Sequence, residues 1–81
     1  MKVFYKVSSS ALKGLQHFEG DFYALFKGDK VYKYEDVERG LFHALLDADS
    51  IGKMFNQKIR NSFECIELGK VQELVFINEA E

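Results

Sequence analysis

A chain of 81 residues with a formal net charge of −2 and 47% apolar content suits one folded domain and excludes a disordered or fibrous chain. No apolar run approaches the length needed to cross a bilayer, and the mildly acidic total does not by itself announce a nucleic-acid partner. The one cysteine, Cys65, allows no internal disulfide and fits a reducing compartment, so the expected location is the cytoplasm.

Residues 1–7 alternate and are rich in β-formers, which predicts a strand with Val3, Tyr5 and Val7 on one face and Lys2, Phe4 and Lys6 on the other. Lys6 and Ser8 to Ser10 interrupt what would otherwise be the apolar stretch of a secretion signal, and the serines end the strand. A weaker strand is expected over Leu12 to Phe18, with a turn at Glu19-Gly20-Asp21. Two further strands, Phe22 to Lys27 and Lys30 to Glu35, join around Gly28-Asp29, residues that tolerate the positive φ of a tight hairpin. Loop length leaves two registers open. Tyr32 and Tyr34 share a face either with Tyr23 and Leu25 or with Phe22, Ala24 and Phe26; in both, Lys33 and Glu35 lie opposite the tyrosines.

From Glu38 the apolar period becomes helical: Leu41, Ala44, Leu45 and Ala48 give a short helix ending near Asp47. Ser50 then reads as the N-cap of a second helix, with Asp49 beside it favouring the positive helix end. Ile51, Met54, Phe55, Ile59 and Phe63 form its apolar stripe, and Lys53, Asn56, Gln57, Arg60 and Asn61 its polar face, with Lys58 on the flank. In the tail, residues 64–81, Val71, Val75, Phe76 and Ile77 favour a strand, hairpinned at Gly69-Lys70 against Cys65 to Leu68, although Val71, Leu74 and Val75 also suit a helix. The expected fold class is α+β: one domain over 1–81, a small antiparallel β-meander sheet packed by two short helices, with an extra C-terminal strand or hairpin.

Two stretches carry a resemblance. One is Val7-Ser8-Ser9-Ser10, followed some way on by Val31-Tyr32-Lys33-Tyr34-Glu35-Asp36-Val37. The other runs Leu45-Leu46-Asp47-Ala48-Asp49-Ser50-Ile51-Gly52-Lys53-Met54-Phe55-Asn56-Gln57-Lys58-Ile59-Arg60-Asn61-Ser62-Phe63. Together, over residues 7–63, they resemble the KTSC domain, a module found at the C-terminus of some lysyl-tRNA synthetases and also alone in bacteria and phages. The chain departs from the family where Glu38 stands in place of a usual proline and where Gly28 falls one position early. The tail lies outside the match. The resemblance implies a small α+β domain, and the synthetase connection suggests RNA as a ligand, an association and not a mechanism.

Residues 51–63 hold Lys53, Lys58 and Arg60 and no acid, so an RNA site is expected on that helix, with Asn56, the close-approach Gly52, and Lys33 and Lys6 from the sheet. The sheet face bearing Phe4, Lys6 and Lys33, with Lys27 or Phe26, is a second candidate surface. Tyr32 and Tyr34 could stack bases, but their charged neighbours argue that they pack in the core. The alternative partner is a protein: a phage-type or bacterial interaction module that binds or inhibits a host protein, with the acidic end Asn78-Glu79-Ala80-Glu81 competing for basic surfaces. Either monomer or homodimer is compatible with these patterns. His17 and His43 are isolated, Ser8 to Ser10 have no evident base, and Cys65 reads as a small core residue. Neither catalysis, a metal nor a cofactor is expected.

Overall fold

A computed structural model describes residues 2–77. Its order is β1 (Val3–Lys6), β2 (Leu12–Phe18), β3 (Asp21–Phe26), β4 (Lys30–Tyr34), α1 (Arg39–Leu46), α2 (Ile51–Lys58), β5 (Cys65–Lys70) and β6 (Val75–Ile77). The strands form one sheet in the order β5-β4-β3-β2-β1-β6, antiparallel except for β1 with β6. This is the small α+β domain expected.

The hairpins follow from their turn residues. Phe18 pairs with Asp21, which leaves Glu19 (φ 52°) and Gly20 (φ 85°) as a two-residue turn with both residues left-handed, the form whose twist matches that of the strands. Leu25 pairs with Val31, so the next loop spans 27–29, and Ala24 faces Tyr32 while Phe22 faces Tyr34. That register settles the open choice. Phe22, Ala24, Phe26, Tyr32 and Tyr34 all point toward the helices.

The main core lies between that face and the helices. Phe22 is its centre, with ring centroids 6.2 Å from Phe42 of α1 and 6.3 Å from Phe55 of α2. Leu12, Leu15, Val37, Leu45 and Ile59 close the space around it. The helices are short and hold by this apolar stripe more than by propensity. As expected, Ser50 caps α2, accepting a hydrogen bond from the Lys53 backbone N–H at 3.3 Å.

The tail departs from expectation. Gly69-Lys70 does not turn a hairpin; β5 runs on through it, paired with β4, and Gly69 (φ 89°) sits where a bulge shifts the register opposite Val31 and Tyr32. Residues 71–74 then cross the sheet face away from the helices, and β6 pairs parallel with β1 at the far edge. Five steps of chain reach at most about 17 Å, while five strand spacings in a flat sheet span about 24 Å. The sheet must therefore curl, bringing its two edges together over that face. Val71 and Leu74 cover a second, smaller cluster of Phe4, Leu25 and Val31.

Candidate functional site

The crossover removes one of the expected surfaces. Phe4 is fully buried, and Phe26 belongs to the helix side, so the far face is no open aromatic platform. Lys33 on that face is half-buried between Asp21 at 3.8 Å and Glu35 at 3.9 Å. A lysine held between two carboxylates is poorly placed to meet a phosphate. Cys65 also departs from expectation: β5 is an edge strand, and its thiol is exposed beside Tyr34. Burial, and then the neighbouring Cys65 side chain, raise the pKa of the Tyr34 hydroxyl above the ordinary tyrosine value. Tyr34 is a core residue; Tyr32, beside it on β4, is half-buried, with its hydroxyl 3.4 Å from Glu67.

His17 is likewise structural. Its Nε2 lies 2.6 Å from the Val37 carbonyl and its Nδ1 3.3 Å from the Arg39 guanidinium. A guanidinium only donates and a carbonyl only accepts, so the ring carries its proton on Nε2 and joins β2 to the segment leading into α1. Both nitrogens are thereby engaged.

A cavity of about 580 Å³ opens between the 8–11 segment and the start of α2. The serines and Asn56 line it with polar groups, and Lys6, Lys53 and Arg60 outnumber the single acid, Asp49. Among the described residues, none of those three cations forms an ion pair. The Arg60 guanidinium donates to Asn56 Oδ1 at 3.4 Å, one helical turn back, which steadies it at the cavity wall. Gly52 has a packing reason here. A Cβ added to it would stand 3.0 Å from the Ser9 hydroxyl oxygen, so a larger residue here obliges that hydroxyl to shift.

Five of the seven RNA candidates, Lys53, Asn56, Arg60, Gly52 and Lys6, therefore meet around one cavity. Lys58 is exposed but does not line it, and Lys33 lies on the far face. Sequence reasoning passed over Ser9, Ala11 and Phe26 as parts of the wall. A turn-forming serine run and a core aromatic give no local sign that tertiary structure will set them beside α2. A second cavity, of about 450 Å³, shares Ala11, Phe26 and Arg60 with the first and is lined further by Lys27, Lys30 and Tyr32.

The family model for the KTSC domain matches residues 8–63, a span that contains both the serine segment and α2. Among solved structures, a KTSC domain protein from Yersinia pestis is similar, with a TM-score of 0.77 and 24% sequence identity over 82% of this chain and 96% of that one. No curated protein matches.

Proposed function

This chain belongs to the KTSC domain family, and from that premise we propose that it is a non-enzymatic binding module whose ligand is RNA, held in the cavity between the serine segment and α2. One observation carries the reading. Two segments far apart in sequence, both inside the family match, meet so that Lys6, Lys53 and Arg60 surround a polar cavity at a capped helix start. Free N–H groups at a helix N-terminus, hydroxyl donors and cations without carboxylate partners suit phosphate oxygens. Lys53 stands in the first turn of α2 and Arg60 just past its end, tied back to Asn56, so both cations border the same cavity.

The test is fluorescence anisotropy with labelled transfer RNA and a labelled single strand, titrated at several salt concentrations. If Lys6, Lys53 and Arg60 each neutralise a phosphate, log affinity falls with log salt at a slope of about −2 to −3. Reversing charge with K53E and R60E then weakens binding and flattens the slope, while K33E on the far face leaves both unchanged. Unaltered affinity in the K53E/R60E double variant sinks the proposal.

A second reading, a protein-interaction module, is favoured by a different feature. Ile66 and Leu68 on edge strand β5 are 44% and 47% exposed, and an unpaired edge bearing apolar side chains invites another chain. The acidic end expected to contribute, residues 78–81, lies outside the described residues. A pull-down that recovers no stoichiometric protein counts against this reading. No helix among the described residues is long and apolar enough to cross a membrane.

A further inference from the structure

Resting on the RNA reading of the larger cavity, we propose that the adjoining cavity at Tyr32 is a nucleobase subsite, which makes the ligand a single strand and not a duplex. The two cavities share Phe26 and Arg60, so a chain lying in the first leads directly into the second. Phe26 and Tyr32 meet edge to face, with centroids 5.3 Å apart and planes at 78°, and both are half-buried at the cavity wall. A base entering there meets one ring flat and the other edge-on. The Tyr32 hydroxyl is tethered to Glu67, whose carboxylate also pairs with Lys30 at 3.2 Å, so the ring is held and little ordering remains to be done on binding.

Charge flanks the aromatic pair on both sides. Arg60 stands at the junction of the cavities, and Lys27, which forms no ion pair among the described residues, also lines the second. A base against Tyr32 would thus have one flanking phosphate near Arg60 and the other near Lys27. This alternation of ring and cation is the pattern of single-strand binding surfaces. A duplex cannot use it, because its bases are stacked inward and present no free face to a concave aromatic wall.

The experiment compares a short single-stranded RNA with the same sequence closed into a duplex, at matched salt, against wild type and the variants Tyr32→Phe and Tyr32→Leu. The single strand should bind at least about tenfold tighter than the duplex. Tyr32→Leu should lose about tenfold for the single strand, the scale of one lost base stack, while Tyr32→Phe, which keeps the ring, stays within about twofold. Since Tyr32→Leu also touches the core, a readout on the wild-type protein accompanies it: a single strand carrying 2-aminopurine should be quenched on binding. Equal binding of single strand and duplex, with no quenching, overturns the base subsite and leaves the phosphate cavity standing. Failure of every RNA to bind, even at low salt, overturns both readings together.

Discussion

Gly52 and Ser9 face each other so closely that a methyl group on Gly52 would come to 3.0 Å from the Ser9 hydroxyl oxygen. Two effects oppose each other at this point. Alanine within a helix is favoured over glycine by about 1 kcal/mol, but the new methyl obliges the Ser9 hydroxyl to shift. In a Ser9→Ala background the offending oxygen is gone and the helix preference acts alone. The double-mutant cycle should therefore be non-additive: Gly52→Ala stabilises more when Ser9 is alanine than when it is serine, by about 0.5–1 kcal/mol. Urea unfolding of the four proteins measures it, and strict additivity would show that the Ser9 hydroxyl turns aside from the new methyl at no cost.

Gly14 is under a harder constraint. A Cβ there would lie 2.8 Å from the Cβ of Phe4 and 3.3 Å from the Tyr5 carbonyl oxygen. Neither atom is the end of a flexible side chain; both belong to the paired strand β1. Gly14→Ala should cost about 1–3 kcal/mol, the usual range for overpacking. Phe4→Ala should not rescue it, because alanine keeps the same Cβ. Thermal melts of the single and double variants check both statements, and a stable Gly14→Ala protein would mean that β1 and β2 sit farther apart.

Much of this fold was legible in the sequence, and particular residues show where legibility stopped. Alternation marks the first strand, turn residues bound the next three, and the Leu41–Ala48 and Ile51–Ile59 spacing marks both helices, because each of these signals is local. The register of Tyr32 and Tyr34 was not readable, since it depends on whether the 27–29 loop holds one residue more or fewer. The tail departs from the sequence pattern at Gly69: its left-handed backbone serves a bulge in a continuing strand, and glycine at a turn and glycine at a bulge look alike in sequence. Residue type points Cys65 to the core, yet its strand is a sheet edge. For the site, charge picked out Lys53 and Arg60, and only topology could separate them from Lys58 and bring Lys6 and the serines alongside.

Tyr34 makes stability depend on alkaline pH. Burial, and then the Cys65 side chain, hold its folded pKa above the ordinary value of 10.0 that the unfolded chain takes. Below that value both states keep the proton, and the contribution is fully present. As pH rises past it the unfolded state loses its proton while the folded state does not. The unfolded state then binds fewer protons, and stability falls by up to about 1.4 kcal/mol per pH unit from this group. Lys30, raised by Glu67, acts in the same direction, but its pair with Glu67 lies at the solvent-exposed surface and should add little. Unfolding free energies at neutral pH and above pH 10 should show the decline in wild type and a shallower one in Tyr34→Phe, with Lys30→Met close to wild type. A Tyr34→Phe curve as steep as wild type would assign the decline to other groups.

Glu38 stands where the family usually carries proline, and its backbone explains why the exchange is tolerated. Its φ is −63°, the value that a proline ring imposes, and its ψ of 143° is extended, as suits the residue just before a helix. Its side chain makes no capping hydrogen bond, and among the described residues its backbone N–H has no hydrogen-bond acceptor. Apart from its charge beside the start of α1, glutamate makes no contact here that proline would remove. It also leaves the unfolded chain freer than proline would. Glu38→Pro should raise stability by about 0.4–1 kcal/mol through the unfolded state, with α1 unchanged. The side chain carries one negative charge on the surface, so the gain should be the same at low and high salt if it is entropic. A gain that vanishes in high salt would trace to the lost charge instead, and a loss of stability would mean that Val37 cannot adopt the extended backbone that a following proline demands.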